Sequence, residues 1–233
     1  MQQSERREKR KQENRQNNVC EMQKLMIPEN YSNELNNLRN DEQAANWIKQ
    51  FVFFKKFKEY PFFMDIPITG EFVFLCDRRI WQSKLFNDYI YWRFNRDYCT
   101  FSIQNIQKRI FNGEIKDRYG QITIQYNQKR TYKTALCING QEQIVFFSFD
   151  VIWRYIEYLE LLGFVWNNGS DWQVDGPITL NPPNYLAANI LKDILKTVDI
   201  SAPQINQIIK NELLSKLDEK DKKIVLNWRE PKI

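Results

Sequence analysis

Glu157 and Glu160, three residues apart on a stretch with helical periodicity, are the carboxylate pair whose spacing could suit general acid–base work. They fall opposite the apolar stripe of Ile152, Tyr155, Ile156 and Leu159, so they are expected to be solvated surface charges. The chain contains no histidine. That excludes Ser-His-Asp and Cys-His relays, histidine zinc ligands and the side chain that ordinarily titrates near neutral pH. Cys20, Cys76, Cys99 and Cys137 stand far apart with no C-x-x-C pair, which argues against a metal site and for reduced thiols inside the cell. No phosphate-cradling G-x-x-x-x-G-K-[ST] or G-x-G-x-x-G occurs, and only 7 glycines are present. Serine never sits in a G-x-S-x-G elbow. The chain is therefore expected not to be an enzyme, and no cofactor and no metal are expected.

Asn181-Pro182-Pro183-Asn184, after the strand-like Ile178-Thr179-Leu180, resembles the [DN]-P-P-[aromatic] signature of amino-group methyltransferases. In that family an acidic or amide side chain and a backbone carbonyl hold the target amine, so the resemblance implies amine methylation. Here the fourth position is Asn184, with Tyr185 displaced by one, and no glycine-rich S-adenosylmethionine loop accompanies it. A Pro-Pro spacer before a helix accounts for the string without chemistry, and methyltransferase activity ranks last.

Basic side chains offer a different chemistry, contact with phosphates. The net charge is +5, and much of it lies at the start. Arg6, Arg7, Lys9, Arg10, Lys11 and Arg15 face only Glu5, Glu8 and Glu13 within residues 1–18, a +3 arm on a nearly neutral body. Lys108 and Arg109 on a short helix, and Lys129 and Arg130 in a hairpin loop, complete a candidate nucleic-acid-binding set.

The elements that must carry these residues can be read from pattern. Residues 1–40 are polar and are expected to form an extended or partly helical arm. Residues 41–233 are expected to be an α+β body, with divisions near 114 and 177. A helix starts at Asp41 and carries Trp47, Phe51 and Phe54. The segment Gly70–Cys76 (GEFVFLC) alternates as a strand does. Asp77 caps a helix over about Arg78–Arg96, with Trp81, Leu85, Tyr89 and Trp92 on one face. A short strand (CTFSI) and a helix from Gln104 to Phe111 follow.

Gln121–Tyr126, Thr131–Ile138 and Gln143–Phe149 predict a three-stranded antiparallel meander, its second turn at Asn139-Gly140. A helix capped at Ser148 or Asp150, a stop at Gly163 and a hairpin closing near Trp172–Val174 predict a winged-helix-like unit over about 148–175. The C-terminus is expected to be helical. Asn184 opens one helix and a capping box at Ser201–Gln204 another, with the charged run Lys216–Lys223 as a solvated face. Trp228 is placed to anchor the terminus on the body or on a partner.

Winged helices serve as DNA-binding modules and as protein–protein adaptors. The helix before this wing offers Arg154 among Glu157 and Glu160, a poor surface for a DNA groove. Tyr60-Pro61-Phe62-Phe63 and the helix–Gly163–hairpin ending at Trp172 resemble the tandem winged-helix subunits of ESCRT-II, from which charge, length and the central meander depart. The chain contains 16 Phe, 11 Tyr and 7 Trp, and such side chains mark protein interfaces. Trp47, Phe51, Phe54, Trp81, Tyr89, Trp92 and Trp228 are the expected interface residues. The leading expectation is a non-catalytic accessory or scaffold subunit of a larger intracellular hetero-oligomer, plausibly one acting on nucleic acid. The alternative is a subunit that binds DNA or RNA directly. No apolar run reaches the length of a membrane span, and the nucleus or cytoplasm is favoured over an organelle.

Overall fold

The computed structural model describes residues 31–50, 60–91, 100–111, 115, 135–138, 141–144, 148–169, 171–174, 181–202 and 204–228. These form a mixed α+β fold with eight α-helices. The suggested division near 177 falls outside the described residues, as do residues 112–114 and 116–120 around the one near 114.

Two short helices open the described chain, α1 (Tyr31–Leu38) and α2 (Asp41–Ile48). Asn40 caps α2 by accepting from the Gln43 amide. The eight residues of α1 belong to the body rather than to a free arm, because Leu35 and Leu38 pack on Phe72. Tyr60-Pro61-Phe62-Phe63 then enters the core through a 3-10 turn, Phe62–Met64. Phe63 meets Phe86 and Phe164 at ring-centroid distances of 5.0 and 4.9 Å, and those two rings stand 5.1 Å apart. Three mutually packed aromatics fix where this segment joins the helices behind it.

The Gly70–Cys76 segment is not a strand. Gly70 adopts φ 85, a left-handed conformation, and starts a second 3-10 turn over Glu71–Val73. Alternating apolar residues misled here because the turn buries Phe72, Val73 and Phe74 together. Asp77 does cap the next helix, α3 (Arg78–Leu85), which continues as a wider i→i+5 coil over Phe86–Tyr91. Residues 92–96, expected to finish it, lie outside the described residues, as does the first run of the meander, Gln121–Tyr126.

Next come β1 (Thr100–Phe101) and α4 (Ile103–Phe111). The hairpin β2 (Ala135–Ile138) and β3 (Gln141–Ile144) follows, with Ile138 opposite Gln141. Then α5 (Ser148–Leu161), β4 (Val165–Asn167) and β5 (Trp172–Val174) complete the central part. Ser148 and Phe149 lie in α5, so the third predicted strand ends before them.

A three-stranded antiparallel sheet is present, but not where the meander was expected. Its order is β1-β5-β4, so a strand from before α4 pairs with one from after α5. The described part of the expected meander is the separate two-stranded sheet β2-β3.

The C-terminal third holds α6 (Tyr185–Thr197), α7 (Ile205–Lys216) and α8 (Glu219–Leu226). Asn184 caps α6 and Asp218 caps α8. The expected capping box before α7 does not form: Gln204 is the cap without a side-chain bond, and the Ser201 hydroxyl donates to Asp199 at 2.7 Å. Nor is the Lys216–Lys223 run wholly solvated, since Asp221 is buried and accepts from the Asn184 amide at 2.9 Å. One continuous apolar core runs from Phe63 to Trp228 and joins the central and C-terminal parts.

Candidate functional site

Helix α5 lies in the chain between α4 and the β4–β5 hairpin. Its residues 150–161 include no exposed one. Val151, Ile152, Tyr155, Ile156, Tyr158, Leu159 and Leu161 are 0–1% accessible. The walls come from α4, β4, α8 and the Glu71–Val73 turn. The Tyr155 hydroxyl donates to the Phe63 carbonyl at 2.9 Å, and its ring meets Trp81 edge-on. Tyr158 is held from the far side by Trp228, 4.8 Å between centroids, and by the Asn206 amide, which donates to its hydroxyl at 2.9 Å.

Glu157 is therefore not the surface charge its position suggested. It is 3% accessible, accepts from the Trp153 indole at 3.0 Å and pairs with Arg154 at 3.4 Å. Glu160 is half-buried and accepts from the Asn167 amide. Burial raises its carboxyl above the ordinary range, and the Asn167 amide offsets part of that rise. Both carboxylates are thus engaged within the fold, Glu157 within α5 and Glu160 with the end of β4.

The expected interface aromatics divide. Trp81 and Tyr89 are 0% and 3% accessible, so their face points into the chain's own core and is not available for docking. Trp228 is likewise 4% accessible and anchors the terminus on Tyr158. Trp47 is half-buried on α2. Phe51, Phe54 and Trp92 lie outside the described residues. So do Arg6, Arg7, Lys9, Arg10, Lys11, Arg15, Lys129 and Arg130 of the basic set. Lys108 and Arg109 are exposed on α4, and the Arg109 guanidinium lies 5.8 Å from the centre of the Tyr89 ring.

Ionic chemistry is concentrated where α1, α2 and α3 meet. Asp77 accepts from the Arg79 amide at 2.9 Å, from Arg79 Nε at 3.0 Å and from a terminal guanidinium nitrogen at 2.6 Å. It also accepts from the Asn40 amide at 2.9 Å. Burial alone would push the Asp77 carboxyl up, but these hydrogen bonds together outweigh it and hold the group below the usual carboxylate range. Arg79 also reaches Asp41 at 2.7 Å. Arg78 bridges Glu71 at 3.1 Å and Asp65 at 3.5 Å.

Glu71 is 4% accessible, and burial pushes its carboxyl up to about 7 against the pull of Arg78. It borders a small cavity of about 40 Å³ with Leu35, Leu38, Arg39, Arg78 and Ser201, room for water-sized groups rather than a substrate. Beside it, burial and then Asp77 push the Cys76 thiol up to about 12, which leaves it protonated and a weak nucleophile. Among the described residues no group of three or more His, Cys, Asp or Glu side chains could hold a metal ion. No described helix is long and apolar enough to cross a membrane.

The Asn181–Asn184 string has a local use. The Asn184 side chain accepts from the Ala187 amide at 3.2 Å and donates to the Leu161 carbonyl and to Asp221. The Asn184 side chain thus caps α6 while tying α5 and α8 to it.

Three large apolar side chains that the aromatic stripes did not reveal stand exposed. Trp166 on β4 and Tyr185 and Leu186 at the start of α6 are 42%, 65% and 54% accessible. One signal was available: between Arg154 and Lys192 there is no Lys or Arg, while Glu157, Glu160, Asp171 and Asp175 fall in that interval. No protein-family model matches the chain, and no curated protein or solved structure is significantly similar to it.

Proposed function

We propose that the chain is a non-catalytic adaptor subunit of a larger protein assembly, built on a winged-helix-like unit and working through protein contacts. The order α3, β1, α4, α5, β4, β5 supports the unit, because the first strand pairs beside the last as in a winged helix. On this reading it spans about 78–174, wider than 148–175, with residues 112–147 and their β2–β3 hairpin inserted between its second and third helices. The Tyr60–Phe63 segment and the helix–Gly163–hairpin keep the resemblance to the tandem winged-helix subunits of ESCRT-II, and an adaptor role is what that resemblance implies.

The observation that carries the proposal is the enclosure of α5. A helix walled by α8, Trp228 and the Tyr60–Met64 segment has no face to lay in a DNA groove. The wing adds no Lys or Arg for phosphates. Native mass spectrometry of the endogenous protein tests the proposal. A mass that includes at least one other kind of subunit is expected, and a stable monomer with no co-purifying chain would overturn it.

The second reading, direct binding of DNA or RNA, draws on the +3 arm and the exposed Lys108 and Arg109. It requires that purified chain bind nucleic acid with a steep salt dependence, which deleting residues 1–18 flattens. Absence of binding even at low salt eliminates it.

A further inference from the structure

We propose that Asn168, in the turn joining β4 to β5, is a site of spontaneous deamidation, and that the hydrogen bonds of the turn gate the reaction. This chemistry is independent of the adaptor reading. Three Asn-Gly pairs occur in the chain, and Asn168-Gly169 is the one within the described residues. Glycine after asparagine favours the reaction because no Cβ shields the following backbone nitrogen and the backbone turns freely. Asn168 and Gly169 are both exposed. A Cβ built at Gly169 would meet nothing within 4 Å, so no other described residue crowds this position.

The step needs nothing beyond the chain and solvent water. The Gly169 backbone nitrogen attacks Asn168 Cγ, and a nitrogen–carbon bond forms as the Cγ–Nδ2 bond breaks. Ammonia leaves with the proton that the Gly169 nitrogen gives up, and a five-membered succinimide ring remains. Water then opens the ring. Cleavage of the bond to Cγ yields aspartate at 168, and cleavage of the bond to the backbone carbonyl yields isoaspartate. No electrons are gained or lost.

In the closed turn both reacting groups are held in other contacts. The Gly169 N–H donates to Asn167 Oδ1 at 2.7 Å. Asn168 Oδ1 accepts from the Asp171 N–H at 2.9 Å, and the Asn168 N–H donates to the Asp171 carbonyl at 3.1 Å. The attack requires the Gly169 nitrogen to lose its proton and Cγ to swing onto it, so the bonds to Asn167 and Asp171 must open first. Local opening of an exposed turn is a low-energy event compared with unfolding, so the reaction is slowed and not abolished.

The product acts on the wing. Aspartate places a new carboxylate beside Asp171. Isoaspartate routes the main chain through Cβ and adds one atom to the loop between Asn167 and Trp172, which are paired across β4 and β5. Deamidation at Asn168 therefore converts opening of this turn into a permanent change in the hairpin.

The test incubates the free full-length chain at neutral pH in water enriched in heavy oxygen and maps the products by mass spectrometry. A short peptide of residues 164–172 serves as the unfolded reference. Aspartate and isoaspartate are expected at 168, each with one heavy oxygen, formed on the order of tenfold more slowly than in the peptide. Asn167→Ala, which frees the Gly169 N–H, should close most of that gap, and Asn168→Gln should remove the products. Exchange of the Gly169 amide, slowed in the wild-type chain to a similar degree, reads the same opening without a substitution. No product at Asn168 over roughly thirty half-lives of the peptide would overturn the site. A rate equal to that of the peptide, with an unprotected Gly169 amide, would overturn the gating.

Discussion

Two regions of this molecule are handled in opposite ways. Where α1, α2 and α3 meet, Asp41, Asp65, Glu71 and Asp77 are matched by Arg39, Arg78 and Arg79 at 2.6–3.8 Å. Along the β4–β5 hairpin and the start of α6, by contrast, Trp166, Tyr185 and Leu186 stand exposed, and no Lys or Arg falls between Tyr155 and Leu191 in the chain. The first region shows what the fold requires, since buried charges must be paired to be tolerated. The second shows what the fold does not require. Exposed apolar side chains that the fold does not need are where contact with another molecule is expected.

Substitutions at the paired region should break the fold most. Asp77→Ala removes a helix cap and leaves the Arg79 guanidinium without its shortest partner, so a loss of about 3–5 kcal/mol is expected in urea unfolding. A change below about 1 kcal/mol, the size of a surface pair, would erase the contrast between the two regions.

Acidity separates two groups within the paired region. Glu71 holds its proton more tightly folded, at about 7, than its ordinary value of 4.5. The stability tied to that proton is whole below about 4.5 and is lost as pH rises through about 7. Asp77 has the opposite sign: its contribution is present above 3.8 and is lost as pH falls through its depressed folded value. Thermal melts of Glu71→Gln between pH 4 and 8 should lose the decline that wild type shows, and an unchanged profile would refute the role of Glu71.

A smaller effect is expected where Gly163 meets Pro183. Gly163→Ala forces φ 80 on a residue with a side chain and presses its Cβ on Pro183, for a loss of about 1–3 kcal/mol. A neutral result in chemical denaturation would mean that the junction is soft. The smallest effect belongs to Trp166→Ala and Tyr185→Ala, each within about 0.5 kcal/mol of wild type, because neither exposed side chain supports the fold. A loss of 2 kcal/mol or more at either would place it in the core and remove the distinction between the regions.

Some local signals in the sequence held, while others, the Ser201–Gln204 capping box and the alternation at Gly70–Cys76, did not, and long-range pairing was not legible at all. Asp77 and Asn184 could be read as caps because a cap involves residues two or three positions away. The Trp81–Leu85–Tyr89 stripe was visible, but not that it points inward, since nothing local distinguishes a docking face from a core face. Glu157 was misplaced because a helical wheel assumes one buried side. Helix α5 is packed on several, with Trp228 arriving from seventy residues later. The pairing of β1 with β5 is equally non-local: Phe101 meets Trp172 across two helices and a hairpin. Trp166 escaped notice because aromatic count, not exposure, guided the choice of interface.

Hydrogen–deuterium exchange on the free full-length chain, compared with the chain in its native assembly, tests the central claim most directly. The expected result is slow exchange at residues 150–161 already in the free chain, as their enclosure requires, with new protection on assembly at residues 163–174 and 184–190. Fast exchange at 150–161 in the free chain, slowed only when nucleic acid or a partner is added, would show that α5 is the working surface and would contradict the account.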